Sequence, residues 1–112
     1  MSLTDQEVKL KKLGLLAILL LATNPAWTQG DPARGKGKIV VCTACHGADG
    51  RATLSMYPHL AGQNYEYLVN AMKAYKGGQR RGNTAAFMTA PMAALSEQDM
   101  QDLAAYYASL GK

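Results

Sequence analysis

Residues 42–46 read Cys-Thr-Ala-Cys-His, and they contain both cysteines of the 112-residue chain. This is the C-x-x-C-H spacing of a c-type haem attachment site. Each of the two thiols can form a thioether with one haem vinyl group, and the adjacent histidine can then bind the iron. The spacing therefore predicts one haem c, attached covalently through Cys42 and Cys45, with His46 as an iron ligand.

Other uses of these residues fit the sequence less well. A thioredoxin-like C-x-x-C sits between a strand and a helix, and no strand-helix-strand unit can be recognised here. A zinc site could draw on Cys42, Cys45, His46 and His59, but adjacent Cys45 and His46 suit tetrahedral zinc poorly. A disulfide closing so short a loop would constrain the unfolded chain only slightly. Covalent haem is the favoured interpretation.

The N-terminal residues have the three regions of a secretory signal peptide. Three lysines precede an apolar run of ten residues at 13–22, and a polar stretch follows at 23–30. Ten apolar residues are too few to span a bilayer core, which needs about 20. We expect a signal peptide at residues 1–28, with cleavage near 26–29 or retention as an N-terminal anchor, and a periplasmic domain at 29–112.

The size and charge of this domain limit what it can do. A chain of this length folds as one domain, and its apolar core alone gives marginal stability, so an embedded haem would contribute to folding. Nine Lys and Arg against six Asp and Glu give residues 29–112 a net charge of +3. So mild a charge argues against nucleic acid as a partner.

The apolar pattern of the domain predicts an all-α fold of three main helices around the haem, because no stretch alternates long enough for a strand. The first helix is expected at 32–41, ending at the haem motif, with Gly35 and Gly37 allowing close approach of another helix. A loop follows at 47–62. The second helix is expected at 64–76 and ends at Gly77-Gly78.

The last helix has the clearest local signal, since Ser96 and Asp99 form a capping pattern and Gly111 stops it. Between it and the second helix, residues 77–95 show no period and include Gly82 and Pro91. We expect an irregular loop here, and a loop of this length indicates function.

This loop is where a second axial ligand is expected. Met88 and Met92 both lie in it, and a thioether ligand suits haem iron that only carries electrons. His59, the other candidate, follows His46 too closely to reach the opposite face. Spacing alone leaves Met88 and Met92 open, although Met88 has more chain before Ser96 with which to cross the haem.

The domain resembles the class I cytochromes c, and most closely one half of the dihaem cytochromes of the c4 type and their single-haem relatives. The strings that carry the resemblance are Val-Cys-Thr-Ala-Cys-His-Gly-Ala-Asp-Gly at 41–50, Tyr-Pro-His-Leu-Ala-Gly-Gln at 57–63, Leu-Ser-Glu-Gln-Asp at 95–99 and Asp-Leu-Ala-Ala-Tyr-Tyr at 102–107. The chain differs from the dihaem pattern in having a single C-x-x-C-H.

The resemblance implies roles for particular residues. The axial methionine of the group lies eight residues before the capping serine, which implies Met88. Pro58 matches the proline whose carbonyl accepts a hydrogen bond from the ligand histidine, and Leu60 is expected to pack on the haem. Gly35 and Tyr106 match the glycine and aromatic residue where the first and last helices cross.

The function implied is electron transfer without substrate chemistry, by a periplasmic monohaem carrier. Transient partners are expected to be a quinol-oxidising complex as donor and a terminal oxidase or periplasmic reductase as acceptor, with no nucleic acid and with membrane contact only through a retained anchor. The alternative is the haem subunit of a periplasmic dehydrogenase or reductase complex. A haem enzyme or gas sensor is disfavoured because two methionines lie in the right loop.

Overall fold

The computed structural model describes residues 29–111, so the predicted signal peptide at 1–28 lies outside the described residues. Within this range the chain is helical and contains no strand, which confirms the all-α prediction. None of the described helices has the length and apolar character needed to cross a bilayer. The five helices are α1 (Pro32–Lys36), α2 (Val40–His46), α3 (Tyr65–Lys76), α4 (Ala85–Met92) and α5 (Glu97–Ser109).

The prediction of one helix at 32–41 that ends at the haem motif was wrong in two respects. Gly37 caps the end of α1 and donates its backbone N–H to the carbonyls of Arg34 and Gly35. Glycine is a poor helix former, so the chain makes a turn here before the helix resumes as α2. The motif itself then forms part of α2, which ends at His46.

Close approach between the first and last helices is confirmed for Gly35 and not for Gly37. A Cβ atom on Gly35 would lie 2.0 Å from the carbonyl oxygen of Asp102 and 2.8 Å from Cβ of Tyr106. A Cβ on Gly37 would meet only the carbonyl of Arg34, at 3.4 Å. Only a residue without a side chain permits this separation of α1 and α5.

Helix α3 follows the prediction closely. The side chain of Asn64 accepts a hydrogen bond from the backbone of Tyr67 at 3.0 Å, which satisfies one of the free N–H groups of the first turn. Gly77 caps the other end. Leu68 and Val69 are buried against α5.

The expected irregular loop at 77–95 contains a helix, α4, and this prediction was wrong. Thr84 precedes α4 without a side-chain cap, and Pro91 lies inside its last turn. Because the residues of α4 are almost all apolar, they show no polar face and so no amphipathic period. Gly82 and Pro91 were taken as breakers, but a proline near the end of a helix removes only one late hydrogen bond.

Helix α5 is the centre of the fold and begins as predicted. The side chains of Ser96 and Asp99 exchange hydrogen bonds with each other's backbone N–H groups at 3.0 and 2.9 Å. This is a complete capping box. The helix packs against both α1 and α3, and its buried side chains form the main core with α3. The core cluster contains Leu68, Val69, Leu103, Ala104 and Tyr107.

The loop at 47–62 is held by backbone hydrogen bonds. The carbonyl of Gly50 accepts from the N–H groups of Leu60 and Ala61 at 2.8 and 3.0 Å. The N–H of Gly62 donates to the carbonyl of Tyr107 at 2.9 Å, near the end of α5. These bonds fix both ends of the segment that contains Pro58.

A buried carboxylate joins α5 to the N-terminal residues. Asp102 is fully buried, and its oxygens accept hydrogen bonds from Nζ of Lys38 at 2.7 Å and from Nε of Arg34 at 3.1 Å. The backbone N–H of Asp31 and the side chain of Gln98 also donate to it, at 2.8 and 3.0 Å. Burial acts to raise the pKa of Asp102, but these donors outweigh burial and hold the pKa well below its usual value.

We expect the Asp102→Asn variant to show the contribution of this carboxylate as a function of pH. Because the folded-state pKa is lowered, the stabilisation is present above the unfolded value of 3.8 and is lost as the pH falls below it. At pH 6 the variant should lose about 2–3 kcal/mol of unfolding free energy, since it leaves two cations with a weaker acceptor. Urea unfolding followed by circular dichroism measures the difference.

The matched control is Glu66→Gln, which neutralises an exposed carboxylate in the first turn of α3. Its unfolding free energy should stay within about 0.5 kcal/mol of the parent at every pH. A difference between the parent and Asp102→Asn that is the same at pH 6 and pH 2.5 would contradict the assignment.

Candidate haem site

Helix α2 brings the three residues of the motif together. Cys42 and Cys45 are three residues apart and therefore lie on the same face of the helix, and His46 follows one turn after Cys42. Both cysteines are half-buried free thiols, and His46 is 5% exposed. All three line one cavity. Two thiols and an imidazole on one wall are the arrangement that the attachment of haem c requires.

The ring of His46 is fixed by its neighbours. Its Nδ1 lies 2.9 Å from the carbonyl oxygen of Pro58, and because a carbonyl only accepts, Nδ1 is the donor. This leaves Nε2 as the ring nitrogen that is available to bind a metal ion. Tyr57 packs against the imidazole edge to face, with ring centroids 6.5 Å apart. A hydrogen bond of this kind sets the tautomer and increases the basicity of a ligand histidine.

The surroundings of Cys42 are apolar. Burial raises the pKa of the Cys42 thiol above its ordinary value, which a contact with the Tyr107 hydroxyl only partly offsets. Burial likewise raises the pKa of Tyr107, and its hydroxyl is a buried polar atom without a hydrogen-bond partner of good geometry. Catalytic redox cysteines have a lowered pKa, so Cys42 lacks the environment of a thioredoxin-like thiol.

The zinc interpretation is also not supported. Among residues 29–111, no group of three or more His, Cys, Asp or Glu side chains is placed to hold a metal ion. His59, the required fourth ligand, lines the same cavity, but its Nδ1 is already engaged, because it accepts a hydrogen bond from the backbone N–H of Ala52 at 2.9 Å.

The remaining site residues of the sequence analysis lie on other walls of the same cavity. Pro58 and Leu60 come from the loop at 47–62, and Met88 and Met92 come from α4. The two methionines are four residues apart on one helix, so both point to the same side. Met88 is half-buried, whereas Met92 is only 2% exposed. Met56 and Met72 also line the cavity.

Sequence reasoning missed a cluster around Arg80. The guanidinium donates hydrogen bonds to the hydroxyls of Tyr75 and Tyr67, each at 3.2 Å. It also lies 5.0 Å from the ring centroid of Tyr75, within the range of a cation–π contact. All three residues line the cavity. The signal in the sequence is the spacing of Tyr67 and Tyr75, which are eight residues apart and so lie on one face of α3.

The cavity as a whole fits a haem. Its walls are mostly apolar and aromatic, as a flat hydrophobic macrocycle requires, and the polar groups are few and specific. The thiols are the groups that attach a c-type haem, and an imidazole and a methionine thioether are ligands that its iron can use. The lining residues without a role above include Val41, Gln63, Leu68, Ala71, Thr84, Phe87, Pro91 and Leu103.

Comparison with known proteins agrees with this geometry. The sequence profile of the family described as cytochrome c matches residues 32–111, which is most of the chain and all five helices. The chain belongs to the cytochrome c family. Family membership implies a covalently bound haem c, and the cysteines that can attach it are Cys42 and Cys45.

Individual relatives point to the cytochrome c4 group. The chain is 50% identical to cytochrome c-554(548) of Halomonas halodenitrificans over 80 residues, which is 71% of this chain and 96% of that protein. It is 44% identical to cytochrome c4 of Pseudomonas aeruginosa over 99 residues, which is 88% of this chain and 48% of that protein. The chain thus spans about half the length of the cytochrome c4 that it matches.

A solved structure shows the same fold within a larger protein. Thiosulfate dehydrogenase from Marichromatium purpuratum superposes with a TM-score of 0.69 at 30% identity, over 80% of this chain and 21% of that chain. The protein is therefore an all-α class I cytochrome c related to the c4 group. Such cytochromes transfer electrons and are not enzymes.

We expect Arg80→Gln to lower the reduction potential of the haem, because a cation on the cavity wall stabilises the reduced state. A unit charge at about 10 Å, with partial exposure, is worth on the order of 0.5–1 kcal/mol, or roughly 20–40 mV. A potentiometric titration at 0.1 M salt measures the shift.

Two further variants separate charge from structure. Arg80→Lys should have a reduction potential close to that of the parent, since the substitution keeps the cation. Arg81→Gln removes the same charge from an exposed side chain that contacts the Gly78 carbonyl and lies outside the haem cavity. It should shift the potential by less than half as much, and equal shifts for the Arg80 and Arg81 variants would contradict the prediction.

Proposed function

We propose that this protein is a periplasmic monohaem electron carrier whose iron is bound by His46 and Met88 and alternates between Fe(III) and Fe(II). The observation that carries the proposal is the convergence of Cys42, Cys45, His46 and Met88 on one apolar cavity. Haem iron supplies the one-electron chemistry, and two protein ligands leave it no open position for a substrate or a gas.

The proximal side has the features of a rigid ligand. His46 is buried, its Nδ1 is held by the Pro58 carbonyl, and it follows directly after Cys45 in α2. The two thioethers of Cys42 and Cys45 would fix the ring relative to the same helix. A ligand that keeps its position in both oxidation states lowers the reorganisation that electron transfer requires.

On the distal side, burial favours Met88 over Met92. Both methionines line the cavity, but Met92 is only 2% exposed and is therefore held more tightly by the surrounding protein. Met88 is one turn earlier on α4, is half-buried and lines the cavity, and its unbranched thioether can adjust its position toward an iron atom. Leu60, from the loop on the proximal side, would pack against the ring.

The periplasmic location is supported by the sequence alone. The N-terminal sequence has the order of an export signal. Basic residues come before position 13, an apolar run follows at 13–22, and a polar stretch comes after it. Export also agrees with the covalent attachment of haem. In an oxidising compartment the two thiols would otherwise oxidise, and the thioether bonds to haem protect them.

The expected partners are a quinol-oxidising complex as electron donor and a terminal oxidase or periplasmic reductase as acceptor. A carrier that visits both in turn must dissociate quickly, so each interface should be small, below about 1,200 Å². The function is then defined by the haem and the surface around it, with no substrate site of its own.

The second candidate function is that of a permanent haem subunit in a periplasmic dehydrogenase or reductase. The observation in its favour is the match to one part of the thiosulfate dehydrogenase structure. A complex with a catalytic protein that survives dilution and gel filtration from the native host would favour this candidate. A free, monomeric cytochrome would favour the carrier.

The test of the proposal is the visible spectrum of the protein produced with haem-maturation machinery. Oxidised haem with a His/Met pair shows a weak sulfur-to-iron charge-transfer band at the red end of the spectrum. We expect the band in the parent protein, its loss in Met88→Ala and its retention in Met92→Ala. Carbon monoxide should bind ferrous Met88→Ala much faster than the parent.

Met92→Ala is the matched control, since it removes a methionine from the same face of α4. It should lower stability by about 2–4 kcal/mol through a buried cavity and leave the band in place. Covalent haem without the band in the parent protein, together with rapid carbon monoxide binding, would refute the carrier function and indicate an open iron site.

A further inference from the structure

The hydroxyl of Tyr107 is a polar group that the fold buries without pairing it. Tyr107 is 3% exposed, and its Oη has no hydrogen-bond partner of good geometry among residues 29–111. An unpaired buried hydroxyl costs free energy, and buried polar side chains are normally hydrogen-bonded. Because Tyr107 lines the haem cavity, its partner is to be sought there.

The side chain of Tyr107 is held in place by its neighbours. It belongs to the buried cluster of α3 and α5, and the ring of Tyr106 packs against it edge to face, with centroids 5.2 Å apart. Gly50 also lies against the ring, since a Cβ on Gly50 would be 3.0 Å from the Cδ1 atom of Tyr107. Packing this close keeps the side chain in one position, so the hydroxyl cannot turn to a distant acceptor.

The neighbour of this hydroxyl on the cavity wall is Cys42. Cys42 packs against the same cluster, lines the same cavity, and its sulfur is in contact with the Tyr107 hydroxyl. Burial raises the pKa of Tyr107, so the hydroxyl keeps its proton and can act as a donor. A free thiol has a hydrogen of its own and accepts only weakly, so this contact leaves the hydroxyl unsatisfied.

The attachment of haem changes what the sulfur of Cys42 can do. When the thiol adds across a vinyl double bond, the sulfur bonds to the inner vinyl carbon and its hydrogen passes to the terminal carbon. The addition is balanced without an oxidant or a reductant. The sulfur then has lone pairs and no hydrogen, so between this thioether and a tyrosine hydroxyl only the hydroxyl can donate.

We propose that the Tyr107 hydroxyl donates a hydrogen bond to the thioether sulfur of Cys42, and that Tyr107 is thereby a positioning residue for the haem. This inference rests on the covalent haem of the proposed carrier and not on the choice of axial methionine. The hydrogen bond draws electron density from the sulfur and so from the attached ring, which favours the reduced state. The apolar surroundings strengthen the hydrogen bond.

The second cysteine of the motif has a different neighbour. Cys45 is in contact with Tyr57, which is only half-buried. Water can therefore satisfy the Tyr57 hydroxyl, whereas the Tyr107 hydroxyl depends on a group inside the cavity. The effect of a tyrosine hydroxyl on the haem should thus be larger at Cys42.

The reduction potential of Tyr107→Phe tests the proposal, because phenylalanine keeps the ring and removes only the hydroxyl. In a potentiometric titration of the holoprotein, the equilibrium constant for reduction should fall at least twofold, which is about 18 mV for one electron. Tyr106→Phe is the matched control, since it removes a hydroxyl from the next residue, which lies outside the cavity lining, and should change the constant by less than twofold. A fall of less than twofold in Tyr107→Phe, or equal falls in both variants, would overturn the proposal.

A second pair of variants identifies the acceptor. In Cys42→Ala the haem is attached through Cys45 alone, so the hydroxyl has lost the thioether sulfur. Adding Tyr107→Phe to this background should lower the equilibrium constant by less than twofold, as expected of two residues that act through one contact. A fall as large as in the parent background would mean that the hydroxyl acts on another group, and the assignment to Cys42 would be wrong.

Proton NMR of the ferrous holoprotein measures the contact without relying on the Cys42 variant. The Tyr107 hydroxyl proton should show a nuclear Overhauser contact to the β-protons of Cys42, and its resonance should be missing in Tyr107→Phe. A hydroxyl proton without that contact would refute the hydrogen bond. Absence of the charge-transfer band from the parent would instead count against Met88 and the carrier function, and the Tyr107 contact can then be measured in the ferrous carbon monoxide complex.

Discussion

The crossing of α1 and α5 is the constraint on which the rest of the structure depends. At this point the backbone of Asp102 occupies the space that a side chain on Gly35 would need, while its carboxylate holds Arg34 and Lys38. One residue thus provides both the steric contact and the charge partner. Because α2 follows α1 after a short turn, fixing α1 against α5 also fixes the helix that carries the haem motif.

The opposite side of α5 transmits this constraint to the haem cavity. Leu103 and Tyr107 line the cavity, and the Tyr107 carbonyl accepts a hydrogen bond from Gly62. That bond anchors the loop whose Pro58 carbonyl holds His46. The position of the proximal ligand therefore depends on α5 twice, through α2 on one side and through the loop on the other. A single well-capped helix organises both.

Features that depend on neighbours in sequence could be predicted, and features that depend on distant residues could not. The capping box of Ser96 and Asp99 is local, so the letters alone identified it, and they also placed the start of α3 near Asn64. Helix α4 has no side-chain cap and no polar face, so nothing local marked it. The burial of Asp102 depends on cations 64 and 68 residues away, and nothing in the sequence near position 102 identifies these partners.

The charged groups that stabilise the fold lie apart from the cavity that holds the haem. The cations that hold Asp102 come from α1 and the turn after it, and none of them lines the cavity. Lys38 also pairs with Asp99 at 2.7 Å and is the main cause of the lowering of its pKa to about 2. The fold is thus tied together by charges between α1 and α5, while Arg80 is the charged residue of the haem cavity lining. The charged network can therefore change its strength with pH without changing the charge of the residues that line the haem cavity, because none of its members belongs to that lining.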